Sequence, residues 1–246
     1  RSGYANLCRL LSYAHLRQPK GKAALDPALL PEHSRGLICL SGCRQGLVAG
    51  LLLRGARREA RRALEFLAAA FPPGNLYVEL QQLLAPGDDH LMRALAELAG
   101  ELGLPVAATG NVHYATRAGS RLQDVLVCIR HNTTLAQAGT LLRPNSEAFL
   151  HSPAEMAALF GSWPEALRNT LEIAERCELQ LDFAAQAVPA QPLPPGRTPQ
   201  ERLRELCLQA FPARYGHAGA QRQKRALEQM EHELAVIEAT GLSEYF

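Results

Sequence analysis

Leu76-Tyr77-Val78-Glu79-Leu80, a helix-patterned stretch from about Asp88 to Leu102 closed by Gly103, and Leu104-Pro105-Val106-Ala107-Ala108-Thr109 together decide the fold. The first and third segments are short, almost wholly apolar and bounded by proline or glycine. This is the composition of strands buried on both faces. A helix of the middle segment's length carries the chain from one strand to a parallel neighbour. Outward from this unit, Gly36-Leu37-Ile38-Cys39-Leu40-Ser41-Gly42 reads as a further buried strand that leaves through a tight turn. Ala56 to Phe71 is rich in alanine and arginine, has apolar positions three and four apart, and reads as a helix stopped by Pro72-Pro73-Gly74. Tyr4 to Arg17, with Leu7, Leu10, Leu11 and Ala14 at helical spacing, reads as an amphipathic helix. The expected fold class is therefore α/β. Ligands in such folds collect at the carboxyl ends of the strands, which directs attention to the residues just after Leu40 and Thr109.

Past residue 115 the pattern turns mainly helical. Ser152-Pro153-Ala154-Glu155, Ser162-Trp163-Pro164-Glu165 and Thr198-Pro199-Gln200-Glu201 each read as a helix start with a hydroxyl N-cap, an early proline and a glutamate in the first turn. Ala184 to Arg197 contains Pro189, Pro192, Pro194, Pro195 and Gly196 and reads as a linker and domain boundary. Two helices are expected beyond it, about Pro199 to Phe211 and about Gln221 to Thr240.

The chain has 246 residues, 47% hydrophobic and 20% charged, enough apolar material for a packed core. Lys plus Arg number 26 against 24 Asp plus Glu, a formal charge of +2, so any contact with nucleic acid must come from a local patch. The six cysteines, at 8, 39, 43, 128, 177 and 207, are too scattered for a secreted disulfide framework and favour a reducing, cytoplasmic compartment. No apolar run reaches the ~18 residues of a membrane span. Arg1-Ser2-Gly3-Tyr4 offers neither an initiator Met nor a signal peptide, and the chain reads as an internal stretch of a longer polypeptide.

Three features are candidates for chemistry. Cys43, after Ser41-Gly42, and the pair Asn111 and His113 each follow a predicted strand. Residues two apart on extended backbone project to the same side, so Asn111 and His113 can share a cavity. Such donors suit zinc, manganese or iron, although a lone Cys and a lone His without CxxC or HxxxH spacing are more often structural. Glu79 lies inside an apolar strand, where a carboxylate is costly to bury; an edge strand facing solvent, or a salt bridge, is the commoner outcome. Arg44, Arg54, Arg57, Arg58, Arg61 and Arg62 stand against the single acid Glu59 between residues 44 and 62. Arginine forks suit phosphate, yet a solvated helix face is the commoner explanation. No GxxxxGK[ST], GxGxxG, GxSxG or HExxH motif is present. Asp88-Asp89 sits in a turn ahead of a helix and does not look like a two-metal pair.

The motifs in order are more specific than any of them alone. Gly3-Tyr4-Ala5-Asn6-Leu7-Cys8-Arg9-Leu10, Gly36 to Cys43, Leu76-Tyr77-Val78-Glu79-Leu80-Gln81 and Ala108-Thr109-Gly110-Asn111-Val112-His113-Tyr114 form one series. It continues through Leu122 to Arg130, Pro164 to Thr170, Ile173 to Cys177 and the closing Tyr245-Phe246. The series resembles the PHP (polymerase and histidinol phosphatase) region of bacterial DNA polymerase III alpha subunits. The wording of Thr109 to His113 and of Arg143-Pro144-Asn145 resembles the error-prone branch.

The resemblance implies the later part of a distorted seven-stranded β/α barrel over residues 1–183, a proline-rich linker over 184–197, and the helical start of a polymerase core over 198–246. Cys43 matches the metal-binding cysteine of the family's Ser-Gly-Cys motif, and His113 the histidine of its Asp-x-His motif. Asn111 replaces the usual aspartate, and a neutral amide is a poorer cation ligand than a carboxylate. The resemblance places the remaining metal ligands before Arg1 and the catalytic aspartates after Phe246, so no catalytic residue is expected within the chain. For the intact protein it implies template-directed addition of deoxynucleotides with Mg2+, and Zn2+ or Mn2+ in the PHP site. Primer-template DNA and dNTPs are the implied substrates, with a sliding clamp and SOS accessory proteins as partners, in the cytoplasm and away from membranes. The alternatives are a free-standing PHP-family phosphoesterase, for which Thr198 to Phe246 has no use, and a metal-free interaction scaffold.

Overall fold

A computed structural model describes residues 1–178 and 192–246. The chain divides into two compact units, Arg1–Leu179 and Gln180–Phe246. In the first, the elements run α1 (Ser2–Leu16), α2 (Leu30–His33), β1 (Cys39–Leu40), α3 (Leu47–Leu53), α4 (Arg57–Ala70), β2 (Leu76–Gln81), α5 (Asp88–Glu101), β3 (Val106–Thr109), α6 (Ser120–His131), α7 (Leu135–Ala138), α8 (Pro153–Leu159) and α9 (Pro164–Arg176). The second holds α10 (Pro199–Tyr215) and α11 (Ala220–Ala239).

The three strands form a parallel sheet in the order β1-β2-β3, with Leu40 opposite Tyr77 and Val78 to Gln81 opposite Val106 to Thr109. Helices intervene between successive strands, as parallel pairing requires. Their apolar stripes close over the sheet. α5 packs on β2, α9 on β3, and α3 against α4 and α5. Val48, Leu64, Val78, Leu80, Leu98 and Phe160 are fully buried in the resulting core. The central strand β2 is buried along almost its whole length, which explains its near-continuous apolar reading.

β1 departs from expectation. Only Cys39 and Leu40 pair with β2, and Leu40 is 38% exposed, so this is a short edge and not a buried strand. The cause lies in Gly36, which sits at φ +78° against α1; a Cβ on Gly3 would meet the Gly36 carbonyl oxygen at 1.9 Å. Residues 36–38 are thus taken up by a glycine turn and a close backbone approach.

Two of the three expected hydroxyl N-caps form. Ser152 and Thr198 complete capping boxes with Glu155 and Glu201. The third does not, because Pro164 takes the first helical position and leaves Trp163 at the N-cap, with Ser162 outside the helix. Trp163 packs against the core instead. α10 also continues beyond its expected end at Phe211, through Pro212 to Tyr215. In the second unit α10 and α11 run antiparallel: Gln200 donates to the Leu234 carbonyl at 3.0 Å, and Arg204 pairs with Glu231 at 2.6 Å. Of the proline-rich stretch read as a linker, residues 184–191 lie outside the described residues, and 192–197 form no helix or strand.

Candidate functional site

Cys43 is presented by the turn between β1 and α3. Ser41, buried at the end of β1, fixes the base of this turn by accepting the Glu79 N–H at 2.9 Å. Gly42 turns the chain at φ +93°, and the Gly46 N–H donates to the Cys43 carbonyl at 2.6 Å as α3 begins. On the neighbouring side, Asn111 follows β3 at φ +43°, in the left-handed region that asparagine tolerates better than most residues. His113 is held by its own N–H, which donates to the Ala148 carbonyl at 2.8 Å.

Cys43, Asn111 and His113 line one cleft of about 720 Å³, together with Arg44, Asp124 and Arg143. The three sequence candidates therefore converge, though Asn111, at φ +43°, does not lie on extended backbone. The link is a contact between side chains: Asn111 Oδ1 lies 3.2 Å from His113 Nε2. Burial, and then the Arg143 guanidinium, hold the His113 ring below the usual histidine range, which favours its neutral form.

This donor set falls short of a metal centre. Among the described residues, no three His, Cys, Asp or Glu side chains are grouped to hold a metal ion. Cys43 and His113 contribute one donor each, and the third member, Asn111, is a neutral amide engaged with the His113 ring.

Glu79 corrects the expectation of a solvated or ion-paired carboxylate. It is only 8% exposed, on the central strand. Its Oε1 accepts from Thr109 Oγ1 at 2.5 Å and from Gln81 Nε2 at 2.7 Å. The compensation comes from neutral donors on β2 and β3, and no salt bridge reaches Glu79 among the described residues. With Cys43 and Gln81 it lines a small cavity of about 20 Å³ beneath the cleft, room for roughly one water molecule.

Asp88, read only as part of a turn, proves to organise the cleft wall. Its Oδ2 accepts the N–H groups of Leu83 and Ala85, both at 3.0 Å, and its Oδ1 takes Arg44 at 2.6 Å. Arg44 also donates to the Pro86 carbonyl at 3.1 Å. An aspartate in the first turn of a helix after glycine was the available signal; its partner, 44 positions away, had none. Within the arginine-rich stretch, Arg57 and Arg61 form a surface network joining α4 and α5. Arg57 and Arg61 both bond Glu101, at 2.6 and 3.0 Å, and Arg61 also bonds Glu65. These arginines are committed to acids of the same fold, in line with a solvated helix face.

Residues 1–83 match the PHP domain, a stretch that takes in Cys43 and Glu79. The whole chain is similar to longer bacterial proteins. It is 39% identical over 99% of its length to the error-prone DNA polymerase of Symbiobacterium thermophilum and 37% identical to that of Mycobacterium tuberculosis. It is 33% identical over its full length to the DNA polymerase III subunit alpha of Treponema pallidum. Over nearly its whole length the chain is thus similar to error-prone DNA polymerases and to DNA polymerase III alpha subunits. It spans 24%, 22% and 21% of the lengths of these three relatives. Asn111 and His113 lie beyond the matched PHP residues, yet within the stretch shared with the polymerases.

Proposed function

We propose that this chain is part of a bacterial error-prone DNA polymerase, and that its PHP portion acts chiefly as a structural support. The carrying observation is 39% identity to an error-prone polymerase across 99% of the chain, which includes the helices beyond the proline-rich stretch. A free-standing phosphoesterase accounts only for the PHP part. In this reading residues 1–183 contribute to a distorted seven-stranded β/α barrel, and 198–246 open the polymerase core. The parallel strands with intervening helices support the first assignment.

The intact enzyme extends a primer on a DNA template with dNTPs. Mg2+ orients the triphosphate and stabilises the in-line displacement. A sliding clamp and SOS accessory proteins are its proposed partners. A cytoplasmic location agrees with the scattered free cysteines and with the finding that no described helix is long and apolar enough to cross a membrane. In the site itself, Arg44 and Asp88 hold the cleft wall, and Ser41 with Glu79 fixes the base of the Cys43 turn. These contacts point to support rather than turnover.

The test is primer extension by the complete polypeptide with Mg2+, on undamaged and lesion-bearing templates. Extension past lesions and mispairs is expected. A complete polypeptide that hydrolyses small phosphomonoesters and extends no primer overturns the reading.

A further inference from the structure

We infer that Asn111 has closed this corner of the PHP cleft to a metal ion, and that one substitution, Asn111→Asp, reopens it. The inference rests on the PHP reading of the cleft and concerns metal binding, not polymerisation.

Three observations carry it. First, the carboxamide and the imidazole occupy one another. With Asn111 Oδ1 at 3.2 Å from His113 Nε2, the ring nitrogen donates its proton to the amide oxygen. Turned the other way, the amide nitrogen donates to the ring lone pair. In either orientation Nε2 has no lone pair free for a cation, and the amide brings no charge to compete for one. A carboxylate at the same position contributes a full negative charge and an oxygen that ligates while the ring turns to do the same.

Second, the acids beside Cys43 are already engaged. The Arg143 guanidinium and the Asp124 carboxylate line the same cleft, so its wall carries no net negative charge to draw a cation. Arg44, beside Cys43, is neutralised by Asp88, whose carboxylate is already filled by Arg44 and two backbone N–H groups. Asp88 is therefore unavailable as a replacement ligand. Glu79 is held likewise by Thr109 and Gln81 on its Oε1.

Third, the backbone is already suited to the reversal. Asn111 lies at φ +43°, where asparagine and aspartate are the residues best tolerated after glycine. The His113 N–H remains tied to Ala148 in either case. Asn111→Asp thus changes charge with little cost in conformation.

The experiment titrates the complete polypeptide, and its Cys43→Ala, His113→Ala, Asn111→Asp and Asn111→Asp/His113→Ala variants, with Mn2+ alone by calorimetry. The bound metal is counted after gel filtration. The wild type is expected to show no Mn2+ that His113→Ala or Cys43→Ala removes. Asn111→Asp should gain about one Mn2+ per chain over wild type, and adding His113→Ala should abolish the gain. A wild type that holds stoichiometric Mn2+ dependent on Cys43 or His113 overturns the inference. So does an Asn111→Asp variant that binds no more Mn2+ than wild type. Primer extension is read separately, so failure of the polymerase reading and failure of this one are distinguishable.

Discussion

The Tyr77 hydroxyl, on β2, sits between Glu172 and Arg176 of α9: it donates to Glu172 Oε1 and accepts from Arg176 Nη1, both at 2.9 Å. Arg176 also donates to the Gly74 carbonyl and to Asn75 Oδ1, so one arginine ties the end of α9 to the turn before the central strand. Tyr77 is 2% exposed, and a hydroxyl buried to that degree must find partners.

Removing this hydroxyl should loosen the seam between α9 and the sheet. Tyr77→Phe is expected to cost about 1–2 kcal/mol, because Arg176 and Glu172 lose a partner in a part-buried place. For a unit of this size, each kcal/mol corresponds to a fall of about 2–4 °C in Tm. Thermal unfolding of Tyr77→Phe, Arg176→Met and the double variant tests it. Additive losses would show that the hydroxyl and the guanidinium act independently.

Glu79 and Thr109 provide a second test, across the β2–β3 ladder. Glu79→Ala leaves the Thr109 hydroxyl without its acceptor and the Gln81 amide with Thr109 Oγ1 alone, and is expected to cost about 1–3 kcal/mol. Thr109→Val should cost less when Glu79 is already alanine than when it is present. Urea denaturation of the cycle measures the difference, and a coupling near zero would mean that the short contact contributes nothing.

Why the sequence disclosed some of this and not the rest can be argued from the same residues. β2, α5 and β3 were legible because burial on both faces imposes continuous apolar runs, and a crossover helix imposes its own period. β1 was overread because Gly36 serves α1 and not the sheet, a role decided by Gly3, 33 positions away. The cleft was half legible. Cys43, Asn111 and His113 followed from the rule that ligands gather at strand carboxyl ends, and the structure brings them together. The part played by Arg143 and the pairing of Arg44 with Asp88 were not legible, since both arginines arrive on loops and carry no periodic signal. The burial of Glu79 escaped for a related reason: half of its compensation comes from Thr109, on another strand.

The Arg44–Asp88 pair should govern the order of the cleft wall. Asp88→Ala removes the acceptor of two backbone N–H groups as well as the ion-pair partner of Arg44. A loss of about 1–3 kcal/mol is expected, most of it from the N–H groups left without an acceptor, since the Arg44 side chain is 38% exposed. Asp88→Asn keeps a neutral acceptor and should cost less. Hydrogen exchange at Leu83 and Ala85 reads the effect directly; protection unchanged in Asp88→Ala would contradict it.

Cys39 offers a chemical probe of the same polar core. Burial first, and then the Glu79 carboxylate, push its thiol up to about 11. Only the thiolate reacts with alkylating reagents. At pH 8, iodoacetamide should therefore label the exposed Cys8 and Cys177 at least about tenfold faster than Cys39. The sign for stability follows. The folded chain keeps the Cys39 proton while the unfolded chain releases it near the ordinary value of 9.0, so this contribution is intact below pH 9 and declines as pH rises toward about 11. Glu79→Gln removes the nearby negative charge and should lower the thiol's proton affinity, speeding alkylation of Cys39 while leaving the buried Cys128 unchanged. Mass spectrometry of peptides labelled over a time course separates the four cysteines. Labelling of Cys39 as fast as Cys8, or unchanged by Glu79→Gln, would show that the carboxylate does not act on the sulfur.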